Sequence, residues 1–342
     1  MTEPLKLLLG SGLIVALVAL AFWPKFGLIA IWRRGYRNTE RVLIEDALKH
    51  LYHQEYKGQS GTIESLSGAV GINRDHAAKL LARLGTLEMI KTEADGFGLT
   101  PVGKSYALRI IRVHRLWERY FADETGLAET QWHAEAERRE HVTTIEEAEA
   151  LAMQMGNPIH DPHGDPIPTS NGEVPPRKGK PLTDLATGEL ARVVHIEDEP
   201  EVLYAQLVAQ GLYPGMQILV TEKSTERIKL IAEGEDAVLA PVVAANVTVV
   251  PLPKAQKMVG PRETLGTLKV GETGVVLGIS KACRGMQRRR LMDLGVIPGT
   301  VISADLKSAS GNPTAYNIRG ALIALRKDQA NLVHIRRNLN NS

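Results

Sequence analysis

An internal repeat with a period of about 83 residues occupies the C-terminal half of the chain. Gly188, in a Gly-Glu pair, corresponds to Gly271, and Pro214, in a Pro-Gly pair, corresponds to Pro298. Alternating apolar residues flank each Pro-Gly turn, which predicts two small β-rich units with one short helix in each. Neither copy carries a clustered acid, base and nucleophile. The repeat is therefore typical of paired binding or interaction barrels.

Length and composition limit the remaining possibilities. A chain of 342 residues predicts two or three domains, and 44% hydrophobic residues suffice for packed cores. The net charge of +2 means that any surface for nucleic acid must be local. Cys283 is the single cysteine, which excludes a disulfide framework and a thiolate zinc cluster within one chain.

A long apolar segment lies near the N-terminus. Residues 7–24 are 18 residues without a charge, and the apolar run resumes at residues 26–32. This length predicts a membrane span, although a cleaved signal peptide and a buried soluble helix are alternatives. The arginines that follow predict a single-pass protein of the inner membrane with most of the chain in the cytoplasm. They are Arg33, Arg34, Arg37 and Arg41.

The order of elements after residue 40 is typical of a winged helix-turn-helix. Residues 40–57, 61–70 and the segment after Asn73 predict three helices, and residues 91–100 predict a hairpin that turns at Asp95-Gly96. A small helical bundle that does not bind DNA is the alternative. Base edges are candidate contacts for Asn73 and Arg74, and phosphates for Lys79 and Arg83. The full set of candidate DNA-binding residues is Asn73, Arg74, His76, Lys79 and Arg83.

Potential metal ligands recur at helical spacing on two further predicted helices, near 101–123 and 128–155. Residues four, seven or eight positions apart share a helix face. Any one His/Glu pair is usually a surface salt bridge, and Arg138 and Arg139 offer partners. Six such residues in 28 positions instead favour a divalent cation. They are His114, Glu118, His133, Glu137, Glu140 and His141.

The chain lacks the sequence motifs of common enzyme classes. It contains no phosphate-binding loop, dinucleotide fingerprint, HExxH zinc motif or nucleophile elbow. A metal used for catalysis would also need an open coordination position beside a general base, and no such arrangement is evident. The sequence therefore predicts that the protein is not an enzyme.

Residues 40–168 resemble the diphtheria-toxin-repressor (DtxR) family of metal-dependent transcriptional regulators. The resemblance rests on the helix-turn-helix and on the segments IEDALKHLY, RVHRLWERYF, WHAEAERREHV and DPHGDPIP. The two repeats resemble FeoA-type, SH3-like barrels, the second through MQRRRLMDLGVIPGT. Some metal-uptake permeases are fused to such a repressor domain, so the apolar N-terminus resembles a remnant of that arrangement.

The resemblance implies two metal sites in a DNA-binding homodimer on a palindromic operator. A primary site would contain Asp46, Glu137, Glu140 and His141. A second would contain His114, Glu118 and His133, with His195 and Asp198 as candidates from the first barrel. Mn²⁺ or Fe²⁺ is the implied cofactor, and Zn²⁺ would also bind in vitro. Lys49 stands where manganese-type members carry an acidic residue, which argues against a two-metal manganese site.

The predicted fold class is α+β, with a transmembrane helix, a winged helix-turn-helix, a helical dimerisation domain and two SH3-like barrels. Two functions follow: a membrane-tethered repressor of metal homeostasis, or a metal-sensing accessory of a metal transporter that binds no specific DNA. The predicted domains are an anchor (1–38), a winged helix (39–104), a metal-binding and dimerisation domain (105–168), a linker (169–180) and two barrels (181–253 and 254–342).

Overall fold

The computed structural model describes residues 40–176, 178–232, 234–253 and 263–337. The chain divides into two compact units, of which the first ends at Ile111 and the second begins at Arg112. Helices and several β-sheets make it an α+β protein. The predicted membrane segment at residues 7–32 lies outside the described residues. No helix within the described ranges is long and apolar enough to cross a bilayer.

The described residues of the first unit, from residue 40 onward, form three helices and a hairpin before the start of a fourth helix. Leu48, Leu66 and Leu84, one from each helix, are almost completely buried and form part of its core. Burial of such side chains away from water is the main force that holds helices of this length together. The elements are α1 (Glu40–Tyr56), α2 (Ile63–Val70), α3 (Arg74–Thr86), β1 (Ile90–Glu93) and β2 (Gly96–Leu99), followed by the start of α4 (Pro101–Glu124).

The third helix begins where the sequence predicts. The side chain of Asn73 accepts a hydrogen bond from the backbone N–H of His76 at 2.9 Å, so Asn73 is the N-cap of α3. The hairpin, however, turns one residue earlier than predicted. Glu93 pairs with Gly96, which places Ala94 and Asp95 in the turn, because Gly96 already belongs to β2.

The single helix predicted over residues 128–155 is wrong. A short 3-10 turn at Glu129–Gln131 leads into α5 (Trp132–Glu140), and α6 (Ile145–Gln154) begins after a break. The break has a local cause. Thr144 accepts a hydrogen bond from the Glu147 N–H, and the Glu147 carboxylate accepts one from the Thr144 N–H. This reciprocal capping box starts a new helix.

Replacing Thr144 with alanine should lower the free energy of unfolding of the second unit by about 1 kcal/mol, because α6 loses its cap. Denaturant unfolding of the metal-free protein would measure the change. Thr86→Ala is the matched control. The Thr86 hydroxyl only bonds back to the carbonyl of Ala82, a contact that contributes little to a helix. Equal effects of the two substitutions would contradict the capping role.

Each repeat forms an antiparallel sheet around its own core. The first repeat contains β3 (Lys180–Pro181), β4 (Leu190–Ile196), α7 (Glu201–Ala209), β5 (Gln217–Lys223), β6 (Ile228–Ala232), β7 (Glu235–Leu239), α8 (Pro241–Ala244) and β8 (Val247–Pro251). The second contains β9 (Thr273–Ile279), α9 (Gly285–Asp293), β10 (Val301–Lys307), β11 (Thr314–Ile318), β12 (Ala321–Leu325), α10 (Lys327–Asn331) and β13 (Val333–Arg337). The first sheet has the strand order β3-β8-β4-β5-β6-β7 and the second β12-β11-β10-β9-β13. Each repeat also has a second short α-helix and a 3-10 turn, at Leu182–Asp184 and Leu265–Thr267, that the pattern did not predict.

Candidate metal centre

The candidate metal centre in the second unit is built on a pair of ligand-type side chains of α4. His114 and Glu118 lie one helical turn apart, and both are buried. The His114 Nε2 lies 3.0 Å from the Glu118 Oε1. His133, from the start of α5, brings its Nδ1 to 3.3 Å from the His114 Nε2 and 3.2 Å from the Glu118 Oε1. One ligand atom from each residue lies within 4.8 Å of the others.

The loop at residues 161–168, which carries part of the family resemblance but was not predicted to bind metal, supplies two more ligand-type residues. Asp161 and His163 are almost fully buried, and with Glu118 they form a second group of ligand atoms within 4.8 Å of one another. The Asp161 carboxylate accepts hydrogen bonds from the backbone N–H groups of His163 and Asp165, at 2.9 and 2.8 Å. These bonds hold the loop in a tight turn.

Arg115 holds the same loop from the other side. Its guanidinium donates to the carbonyl oxygen of Pro166 at 2.6 Å and lies 3.8 Å from Asp161 and 3.5 Å from Asp165. The loop is thereby fastened to the helix that carries His114 and Glu118. His163 therefore cannot turn far from Glu118.

Asp198 joins the two groups from the loop after β4. Its Oδ2 lies 2.9 Å from the Nδ1 of His133 and 3.8 Å from the Nδ1 of His163. Glu118 already belongs to both groups, so these residues form one continuous cluster, which we call the buried cluster. Its members are His114, Glu118, His133, Asp161, His163 and Asp198.

The surroundings of the His163 side chain indicate whether the cluster is suited to bind a metal ion. Neither ring nitrogen has a hydrogen-bond partner among the described residues, although the residue is 2% exposed. Glu118 Oε2 lies 3.7 Å and Asp198 Oδ2 lies 3.8 Å from its Nδ1. Ligands bound to one ion at about 2.0–2.2 Å lie roughly 3–4 Å apart. The spacing and the unsatisfied imidazole fit a shared divalent cation.

The donor types narrow the choice of ion. Imidazole nitrogens and carboxylate oxygens suit Mn²⁺, Fe²⁺ and Zn²⁺, and thiolate, which selects softer metals, is absent from the cluster. A residue outside the cluster also fixes the orientation of one of its ligands. The Nδ1 of His114 lies 2.5 Å from the Glu140 carboxylate, an arrangement that orients the imidazole and leaves Nε2 for the site.

In the absence of metal, the cluster holds protons on its imidazoles. Burial opposes the charge on His163, but the carboxylates of Asp198 and Glu118 outweigh it and raise its pKa to about 9. His133 behaves similarly: burial opposes its protonation, but hydrogen bonds to Asp198 and Glu118 outweigh burial and raise its pKa. Burial raises the pKa of Asp161 to about 6. A cation that enters the cluster must displace some of these protons.

The other predicted metal ligands lie nearby or in the first unit. The second oxygen of Glu140 lies 3.4 Å from His141, so Glu140 stands between His114 and His141. Glu137 lies 3.8 Å from the Nε2 of His133. Asp46 is half-buried on α1, in the first unit, and its pairing with Glu140 and His141 remains a prediction.

The two candidate metal ligands from the first barrel, His195 and Asp198, differ in their position relative to the buried cluster. Asp198 belongs to the buried cluster. His195 lies on β4, with its Nε2 3.4 Å from Asp165, and is absent from the groups of close ligand atoms found in the described part of the chain. Asp165 in turn pairs with Arg115, so His195 supports the loop that carries His163.

The candidate DNA-binding residues line the outer face of α3. Arg74, His76, Lys79 and Arg83 are all exposed, while Ala77, Leu80, Leu81 and Leu84 are buried. Arg74 forms an ion pair with Glu64, and Arg83 lies 3.4 Å from Glu40. These exposed pairs are weak, so both arginines remain available to phosphates.

Asp161 and His163 had two signals in the sequence: their spacing of two residues, and their place in the Pro/Gly-rich segment DPHGDPIP, which carries part of the family resemblance. Such a loop is ordinarily a linker, and residues so far from α4 along the chain have no helical register with it. Only the buried contacts with Glu118 and Arg115 show that the loop belongs to the site.

Comparisons with known proteins identify two kinds of domain in the chain. The family model of the iron dependent repressor, metal binding and dimerisation domain matches residues 100–169, and that of the FeoA domain matches residues 180–251 and 263–337. The iron-dependent repressor IdeR of Mycobacterium leprae is 30% identical over 156 residues, which is 42% of this chain and 67% of the relative. A probable metal transport system membrane protein of Chlamydia trachomatis is 28% identical over 137 residues, which is 40% of this chain and 27% of that protein.

A solved structure is also similar. It is a manganese-dependent transcriptional repressor in complex with manganese. It superimposes with a TM-score of 0.58 at 26% sequence identity, and the match covers 61% of this chain and 100% of that one.

Proposed function

This chain belongs to the DtxR family of iron- and manganese-dependent repressors, and from that premise we propose that it is a metal-dependent transcriptional repressor of metal-ion homeostasis. It binds DNA as a dimer and responds to Mn²⁺ or Fe²⁺, and its task is regulatory, not enzymatic. The observation that carries the proposal is the buried cluster. In it, the carboxylates of Glu118 and Asp198 lie beside the imidazole of His163, whose ring nitrogens have no hydrogen-bond partner among the described residues.

The metal-holding residues fall into two sets. The members of the buried cluster would hold one cation, and Asp46, Glu137, Glu140 and His141 are proposed for a second. A bound cation supplies the positive charge that lets neighbouring carboxylates and neutral imidazoles share one site. Glu140 orients His114 of the first set and is itself a proposed ligand of the second. Through Glu140, the occupancy of one set affects the geometry of the other.

The DNA-binding surface would be the outer face of α3. Its exposed cations suit phosphate contacts, and two copies in a dimer would enter major grooves about 34 Å apart. A metal ion held by side chains of the helical domain would restrict the geometry of the dimer. Metal binding would therefore be coupled to the affinity of the dimer for DNA. Coupling free energies of about 1–3 kcal/mol are typical of such systems and correspond to about 5–150-fold in affinity.

DNA binding by the full-length chain tests this function. Fluorescence anisotropy with the promoter region of its own gene neighbourhood should show sequence-specific binding that is about 5–150-fold tighter with Mn²⁺ or anaerobic Fe²⁺ than with chelator. Lys79→Ala should weaken binding to all sequences and reduce its salt dependence, because Lys79 neutralises a phosphate. Lys57→Ala, an exposed lysine off α3, is the control. Metal binding without specific DNA binding would contradict the repressor function.

A second candidate is a metal-sensing accessory of a transporter. The similarity to a probable metal transport system membrane protein favours it, as does the apolar run at residues 7–32. In either case we propose that this run anchors the chain in the inner membrane with the metal-binding part in the cytoplasm. Fractionation of cells that express the full chain and a variant lacking residues 1–38 tests the anchor. Recovery of both from the soluble fraction would contradict it.

A further inference from the structure

A basic cleft lies in the second unit, on the side of α9. It has a volume of about 530 Å³, within the range of small-molecule sites. Its walls come from the end of α4, from the segment before α9, and from α9 itself. Five cationic side chains and two carboxylates line it. They are Arg119, Lys281, Arg284, Arg288 and Arg289, with Asp123 and Asp293.

The carboxylates do not neutralise the cations of the cleft. Asp123 is shared by two of them, at 2.5 Å from the Nε of Arg119 and 3.6 Å from Arg284. Arg289 pairs with Glu124 at 2.7 Å. Among the described residues, neither Lys281 nor Arg288 has a carboxylate within 4 Å, and Arg288 donates only to the carbonyls of Ile279 and Ser280. The cleft therefore carries an excess of positive charge.

The excess of positive charge is energetically unfavourable at Arg284. Its side chain is only 18% exposed, and Asp123 is its one ion-pair partner within the described ranges. Burial lowers the pKa of its guanidinium despite the neighbouring Asp123. A buried cation that shares its counter-ion is stabilised when a further anion binds beside it. Guanidinium groups present planar pairs of N–H donors that match phosphate and carboxylate oxygens.

We propose that this cleft binds a small anion that carries at least two phosphate or carboxylate groups, with Lys281, Arg284 and Arg288 as the binding cations. A ligand with two anionic groups suits this arrangement because Arg288 belongs to α9, whereas Lys281 and Arg284 belong to the segment before it, so each group can pair with one wall of the cleft. The three residues lie outside the buried cluster and outside α3. The proposed site thus shares no residue with the proposed metal ligands or with the candidate DNA-binding residues.

Isothermal titration calorimetry on the metal-free full-length chain tests the proposal. Inorganic pyrophosphate and citrate are titrated in separate arms, which distinguishes a phosphate ligand from a carboxylate ligand. We expect saturable binding of one probe, and we expect Lys281→Gln and Arg284→Gln each to weaken it about tenfold, as expected for loss of a charged hydrogen bond. Lys281 makes no ion pair within the described residues, so Lys281→Gln keeps the test valid if the Arg284 variant fails to fold.

The matched control is Arg290→Gln. Arg290 is exposed on α9 and does not line the cleft, so binding should stay within about twofold of wild type. Binding of neither probe would overturn the proposal, as would equal weakening by Arg290→Gln, which would indicate general attraction to a basic surface. DNA binding lost in Lys281→Gln, with no binding of either probe, would assign the cleft to nucleic-acid phosphates and overturn it too. Neither metal nor DNA is present in the calorimetry, so its outcome is independent of the proposed repressor function.

Discussion

Replacing Glu118 with glutamine is expected to lower the affinity of the buried cluster for Mn²⁺ by at least about 100-fold. The Glu118 side chain belongs to both groups of ligand atoms, with one oxygen facing His114 and His133 and the other facing His163. Glutamine has nearly the same shape but carries no charge. Substitution of residues that only support a metal ligand already costs about 10–100-fold, and loss of a ligand costs more.

Metal titration of the full-length chain, followed by the signal of free Mn²⁺ in electron paramagnetic resonance, would measure this effect. The stoichiometry should fall by one ion per chain, because the proposed ligand set around Glu140 and His141 does not include Glu118. Glu146→Gln, an exposed carboxylate on α6, is the matched control and should change nothing. An unchanged stoichiometry in Glu118→Gln would contradict the assignment of the buried cluster.

The affinity of the buried cluster for Mn²⁺ should rise steeply with pH. With no metal bound, the pKa of His163 is raised to about 9 and that of His133 is also raised, which favours protonated imidazoles at neutral pH. A metal ligand must be deprotonated, and each displaced proton changes the affinity about tenfold per pH unit. Loss of both protons therefore predicts about a 100-fold gain per unit between pH 6 and 8, and loss of one predicts about tenfold.

The sign of this dependence is set by the carboxylates. Asp198 and Glu118 favour the charged imidazolium, so acid pH fills the site with protons and alkaline pH frees it for the cation. Calorimetry in buffers of different ionisation enthalpy would count the protons released per ion. Glu146→Gln is the matched comparison, because Glu146 is exposed on α6 and lies outside both proposed ligand sets, so it should leave the slope for this site unchanged. A pH-independent affinity would contradict imidazole ligation by His133 and His163.

Local sequence patterns predicted most of the structural features that depend on residues close together in the chain. The apolar stripe of α3, its cap at Asn73 and the pairing of His114 with Glu118 follow from a period of 3.6 residues. The repeat predicted two similar barrels because each copy contains its own turns and alternating strands. The capping box at Thr144 was also visible in the sequence. It was missed because the ligand spacing suggested one continuous helix through His141.

Packing between distant segments decided which ligand-type residues share a site. Asp161 and His163 reach Glu118 only because Arg115 fastens their loop to α4, and Asp198 reaches His133 only because β4 ends beside α5. His195 matched the same sequence criteria as Asp198, yet its side chain points to Asp165. Whether a residue favours or opposes metal binding depends on its burial and on the charges beside it. Those are properties of contacts between segments far apart in sequence, and no spacing rule along the chain contains them.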